Sequence, residues 1–170
     1  MNIGLLLLRL AVGLTLAAHG SQKLFGWFGG PGLNGTGQLF AMLGFHPGRR
    51  HALLAGLAET VGGLLLALGL ITPLGSAAVI SVMLVAIYSV HMQKGFFAQN
   101  GGYEYNLVLA VAALTLAFTG SGSLSLDSLL NQGDAGAFSG LAALVVGILG
   151  AVIELAQRKP APTASAVATK

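Results

Sequence analysis

The chain contains no cysteine and very little charge, with Lys, Arg, Asp and Glu together making up 8% of its 170 residues. Without cysteine there is no disulfide framework, no thiolate metal ligand, no covalently attached haem and no cysteine-based redox step. Soluble domains carry about 25% charged residues, so this chain has too little polar surface to cover a water-soluble globule. The basic residues behind its formal net charge of +3 are scattered over connections and form no stripe, which argues against nucleic acid as a partner. What is abundant is apolar: 55% hydrophobic residues, a mean hydropathy of +0.83 and 26 glycines. Small residues let helix backbones approach closely in lipid. The composition therefore predicts an all-α membrane bundle.

Apolar runs cover residues 3–21, 52–71, 74–90, 105–119 and 138–155. Each is close to the length of about 20 residues that crosses a bilayer as a helix. Thr72-Pro73 breaks the second run from the third and folds them into a helical hairpin. The fourth run is short and borrows Tyr103 and Glu104 at its start. The first lacks a basic leader and carries Arg9 internally, so it reads as a retained span rather than a cleaved signal. The long connection of residues 25–50 mixes glycine with ring side chains and reads as an interfacial loop. Within it, residues 37–45 suit a short amphipathic helix on the surface. The Pro-, Ala-, Thr- and Ser-rich tail, residues 158–170, reads as disordered.

With five spans, Lys23, Arg49, Arg50, Lys94, Arg158 and Lys159 all fall on one side, while Asp127 and Asp134 lie on the other. The positive-inside rule then puts the amino terminus outside and the carboxy terminus in the cytoplasm.

An ionised side chain at mid-membrane costs roughly 2.5–3.5 kcal/mol on insertion scales, so such residues face a partner, a cavity or a ligand. Arg9 and Glu59 lie within apolar runs, and Glu104 opens another. At about 100° per residue, Arg9, Gly13, Leu16, Gly20 and Lys23 share a stripe on the first helix. Ala55, Glu59, Gly63 and Ala67 form a ridge on the second. Packing the two ridges brings Glu59 toward Arg9 or Lys23, and the expected heights favour a pair with Arg9. His19, Lys23, Glu59, His91 and Glu104 all arrive in the half of the membrane on the basic side. Tyr103, Tyr105 and Asn106 surround Glu104. The plain alternatives are a helix-locking charge pair, a snorkelling Lys23, interfacial histidines and a capping Glu104.

These residues resemble the DoxX family of small bacterial membrane proteins. The likeness rests on Leu8-Arg9-Leu10, then His19-Gly20-x-x-Lys23-Leu24-Phe25, and on Glu59-x-x-Gly62-Gly63 leading to Gly69-Leu70-x-Thr72-Pro73. It continues through Val90-His91, Gly95-Phe96-Phe97, Gly101-Gly102-Tyr103-Glu104-Tyr105-Asn106 and Ser125-Leu126-Asp127. The resemblance implies a four-helix membrane bundle over residues 1–127. Residues 128–157 depart from it as an extra transmembrane helix. It also implies a bacterial inner-membrane location and a kinship with the DoxD-type subunit of thiosulfate:quinone oxidoreductase and with members tied to oxidative stress and quinone detoxification. The family pattern falls on Arg9, His19, Lys23, Glu59, His91, Glu104 and Asn106.

Three functions follow as expectations. The first is a quinone-binding membrane subunit, with Glu59 and Glu104 as catalytic proton carriers and Arg9, His19, Lys23, His91, Tyr103 and Asn106 contacting the ligand. Its partners would be the lipid bilayer, a redox subunit that supplies electrons, and a second copy of the chain. The second is a small-solute transporter, and the third a structural or assembly protein. No histidine spacing suggests haem, and no metal site is expected.

Overall fold

The computed structural model describes residues 2–131 and 136–159, so the predicted disordered tail from Pro160 onward, and Asp134, lie outside the described residues. The helices are α1 (Asn2–Phe25), α2 (Gly32–Met42), α3 (Gly48–Leu68), α4 (Thr72–Ala86), α5 (Glu104–Thr119), the single turn α6 (Leu126–Leu129) and α7 (Ala137–Ala156). A π turn at Ile87–His91 and a 3-10 turn at Met92–Lys94 prolong α4. Helices at Asn2–Phe25, Gly48–Leu68, Thr72–Lys94 and Ala137–Ala156 are long and apolar enough to cross a membrane, and α5 is shorter. At 1.5 Å per residue the 16 residues of α5 span about 24 Å.

Glycine sets the central contact, between α1 and α3. A methyl group on Gly13 would fall 2.5 Å from Gly63 O, and one on Gly63 would fall 2.5 Å from Gly13 O. Two turns further, a methyl on Gly20 would lie 2.6 Å from Gly56 O. The backbones touch where side chains are missing, the geometry that glycine permits between helices in lipid. Around this pair, Val12, Leu16, Leu66, Val79, Met83, Leu109 and Ala113 fill a core drawn from α1, α3, α4 and α5. Those four helices form the expected bundle.

The expected extra helix is α7. It lies on α4 and α5 through small residues, with Ala143 packed against Ala77 and Ala117. Ser139 Oγ donates to Ala117 O at 2.9 Å. Its other face, including Leu141, Val145, Leu149 and Val152, is exposed and apolar. At its carboxy end, Arg158 Nε donates to Leu43 O at 2.6 Å and Lys159 N to Gly44 O at 2.8 Å. The carboxy end of α7 thus meets the connection between α1 and α3, at the basic end of the molecule.

The opposite end is closed by Asp127. Its carboxylate, 3% exposed, accepts from Ile71 N at 2.6 Å, Thr72 N at 3.1 Å and Thr72 Oγ1 at 2.7 Å. These are first-turn donors of α4, where a negative charge also suits the helix dipole. Ile71 sits at φ +44°, a strained setting for a β-branched residue, directly beside this cap.

Candidate functional site

A cavity of about 530 Å³ opens at the basic end, walled by α1, α2, α3, the α4 π turn, residues 98–102 and α5. That size falls within the range of small-molecule sites. α1 contributes His19 and Lys23, one turn apart. α3 contributes Ala55 and Glu59, also one turn apart. The π turn delivers Ser89, Val90 and His91 together, and α5 brings Tyr105, Asn106 and Leu109. A π turn inserted in a helix is often found where a site is built.

Lys23 Nζ stands 2.5 Å from Glu59 Oε1. The glutamate side chain is 3% exposed and the lysine 27%, so the acid is buried and the base reaches it from the rim. Glu59 Oε2 is buried and has no hydrogen-bond partner among the described residues, and the same holds for Ser89 Oγ. A buried carboxylate oxygen left unpaired is costly, so an acceptor without a donor inside a cavity wall points to an occupant. His19 Nε2 lies 3.2 Å from Tyr105 OH, and His19 Nδ1 lies 3.2 Å from Gln22 Oε1. His91 Nδ1 donates to Gly101 O at 2.6 Å, which fixes the tautomer and leaves Nε2 as an acceptor in the neutral ring. Asn106, 7% exposed, turns its amide to Met83 Sδ at 3.5 Å. Phe40, Phe45, Val82, Val85 and Leu43 make the rest of the wall apolar.

Five of the residues singled out by sequence therefore share one cavity: His19, Lys23, Glu59, His91 and Asn106. Three lie elsewhere. Arg9 is at the far end of α1, 1% exposed, with Nη2 donating to Leu124 O at 2.5 Å. The expected Arg9–Glu59 pair is absent because of helix register. The close backbone contacts set it: Gly13 meets Gly63, Gly20 meets Gly56 and Thr60, and Arg9 meets Gly69, whose missing side chain leaves room for the guanidinium. Tyr103 packs edge-on against Phe96, ring centroids 5.5 Å apart, outside the wall. Glu104 also stands outside the wall, and its Oε2 accepts from Ala98 N at 3.0 Å.

The structure also supplies wall residues that sequence reading passed over. The connection expected as an interfacial loop with a helix at residues 37–45 instead holds α2 at Gly32–Met42, whose Thr36, Leu39 and Phe40 cover the cavity. Tyr105, not Tyr103, faces inward. The signal was present, since Tyr105, Asn106 and Leu109 share a face of one helix, whereas Tyr103 sits at its cap. His51, 1% exposed, bonds Glu154 Oε1 at 2.6 Å and ties α3 to α7.

Two family models match overlapping parts of the chain. The family model described as DoxX matches residues 4–92, and the one described as TQO small subunit DoxD matches residues 50–152, a range that includes most of α7. A protein of Bacillus subtilis (strain 168) named "Putative oxidoreductase CatD" is 30% identical over 132 residues, covering 78% of this chain and 90% of that protein. An "Uncharacterized protein" of Haemophilus influenzae is 32% identical over 75 residues, covering 44% of this chain and 50% of its own length. No solved structure matches the chain.

Proposed function

The chain belongs to the DoxX family of multi-pass membrane proteins, and from that premise we propose that it is the quinone-binding membrane subunit of an oxidoreductase. The observation that carries the reading is Glu59: a buried carboxylate with one oxygen on Lys23 and the other unpartnered among the described residues, set in the wall of a largely apolar cavity near one end of the bundle. The naming of the Bacillus relative as an oxidoreductase, and the subunit description of the second family model, support the same direction.

A quinone, when bound, takes up electrons and protons at two ring oxygens. The residues present fit such a group. The apolar wall of Phe40, Phe45, Val82 and Val85 suits a flat ring, while Lys23, Tyr105 and Asn106 hold N–H or O–H donors at its edge. Glu59 and Lys23 form a pair on which a proton is held at Nζ or at a carboxylate oxygen, and His19 and Tyr105, 3.2 Å apart, line the same cavity. The chain has no cysteine, so its own side chains offer no thiol couple, and the electron donor in this reading is a partner subunit. Whether the reduced compound comes from sulfur-compound oxidation or from detoxification turns on that partner.

A tail-free dimethoxy-methyl-benzoquinone titrated into purified protein tests the proposal. Saturable binding of one molecule per chain is expected. Ala86→Phe, which fills the cavity from the end of α4, should weaken it by about tenfold or more, equivalent to 1.4 kcal/mol. Absence of saturable binding overturns the proposal, and so does binding indifferent to Ala86→Phe. Solute flux through proteoliposomes, with no quinone bound, would favour the transport alternative.

A further inference from the structure

α2 covers the cavity, yet it is a weak helix. It has 11 residues, among them Gly32, Gly35 and Gly37, and no side chain caps its amino end. Helices this short are marginal alone, and glycine is the poorest helix former after proline. The chain enters α2 at Gly32, φ +65°, and leaves the segment at Gly44, φ +92°. Glycine adopts both settings readily, so α2 has a joint at either end. Met42 points outward and is exposed, while Thr36 is buried and lines the cavity.

The ties on this segment differ in strength. On the α1 side, Thr36 Oγ1 reaches Lys23 O at 3.5 Å, a long and weak bond. On the α3 side, Gly48 packs on Gly37 and Ala41 so closely that a methyl on Gly48 would strike Gly37 O. Two backbones in contact have few side chains to interlock, so this contact serves as a pivot rather than a clamp. The firm ties are at the carboxy end and come from the end of α7. Arg158 Nε donates to Leu43 O at 2.6 Å, Lys159 N donates to Gly44 O at 2.8 Å, and Phe45 and Arg158 form an antiparallel bridge. Gly44 is required here, since a methyl on it would strike Lys159 O. Phe45 is wholly buried and packs with Ala151 of α7 and Val85 of α4. α7 makes these ties although it stands off from α3. A second, smaller cavity of about 220 Å³ lies between Leu54 and Ala58 of α3 and Gly150 of α7, and the His51–Glu154 bond joins the two helices beside it.

We propose that residues 32–45 are a hinged lid on the larger cavity and that Arg158 and Lys159 are its latch. Molecules enter and leave when those two residues release Leu43 and Gly44. Opening of this kind breaks few bonds and exposes few apolar contacts, so it lies at the low-cost end of local unfolding. The lid does not depend on what the cavity binds, and it stands or falls apart from the quinone reading.

The chain has no cysteine, so a single introduced thiol reports opening. Thr36→Cys sits on the inner face of the lid, and Ala113→Cys sits in the bundle core. Each is treated with a water-soluble maleimide in otherwise unchanged protein, with Arg158→Ala, and with Lys159→Pro, which lacks the N–H that Gly44 O accepts. Each latch substitution removes one hydrogen bond and should speed modification of Thr36→Cys about fivefold, with a larger effect when the two are combined. Ala113→Cys should stay unreactive throughout. An unchanged Thr36→Cys rate in the combined variant overturns the proposal. Faster reaction at both positions also overturns it, because α7 is then a strut for the whole bundle. Amide hydrogen exchange gives a second reading without an introduced thiol. The latch variants should speed exchange in residues 32–45 and leave residues 52–68 at the wild-type rate, and acceleration shared by both segments overturns the lid.

Discussion

Lys23 Nζ lies 2.5 Å from Glu59 Oε1, joining the last turns of α1 to the middle of α3 across the wall of the larger cavity. The two partners are unequally buried, and that inequality gives the first prediction. Lys23→Met strands a buried carboxylate, the situation in which breaking a pair costs about 3–5 kcal/mol. Glu59→Gln frees a lysine that can extend to the interface, so it should lower the detergent melting temperature less than Lys23→Met. The double variant should be more stable than the sum of the singles implies. Simple additivity would show that the two charges do not interact.

How far the fold could be read from sequence varies with the physical signal. The apolar runs and Thr72-Pro73 specify the spans because lipid leaves the backbone no alternative to helix. The stripe of Arg9, Gly13, Gly20 and Lys23 correctly marked the face that meets α3, since small residues at helical spacing carry that information directly. Its register was not legible. Helix ends alone do not fix it: the Gly13–Gly63 and Gly20–Gly56 contacts set Arg9 against Gly69 and leave Glu59 to Lys23. His19, His91 and Asn106, which line the larger cavity, stand out in the sequence because the chain carries so few polar residues. The wall supplied by α2, and the His51–Glu154 bond, depend on how distant elements dock, and no local pattern encodes that.

Arg9 and Glu59 should be energetically independent. Arg9 bonds Leu124 O and stands against Gly69, at the end closed by Asp127, while Glu59 belongs to the other end. Well-separated sites without shared partners add within about 0.3–0.5 kcal/mol. Arg9→Leu combined with Glu59→Gln should therefore destabilise by the sum of the two changes. Arg9→Leu alone should still lower stability, since it removes the bond to Leu124 O and leaves unfilled the space that Gly69 opens for the guanidinium. Coupling above about 1 kcal/mol between Arg9 and Glu59 in a melting-temperature cycle would reject the register described here.

Topology follows from which helix ends meet. The ends of α1 and α7 and the start of α3 come together where Arg158 bonds Leu43 O and Lys159 bonds Gly44 O. Lys23, Arg49, Arg50 and Lys94 collect at the same end, and basic connections are retained in the cytoplasm. A cytoplasm-active reporter fused after Lys159 should be active and a periplasm-active one silent. The reverse result would reject an outside amino terminus.

Glu104 offers the sharpest separation between chemistry and scaffolding. Sequence analysis gave it a proton-carrying role, whereas its Oε2 accepts from Ala98 N at 3.0 Å and its own N donates to Phe96 O at 2.9 Å. These bonds hold the turn whose Ala98, Gly101 and Gly102 enter the cavity wall, and Gly101 O in turn fixes His91. A positioning role predicts that Glu104→Gln, which keeps an acceptor for Ala98 N, binds tail-free benzoquinone within about threefold of wild type. Glu104→Ala, which removes it, should weaken binding by about tenfold. Proton uptake during quinone reduction in an assembled complex should then fall in step with affinity for both variants. If Glu104→Gln instead keeps full affinity but loses proton uptake, Glu104 carries protons itself, and the turn it holds is incidental to the reaction.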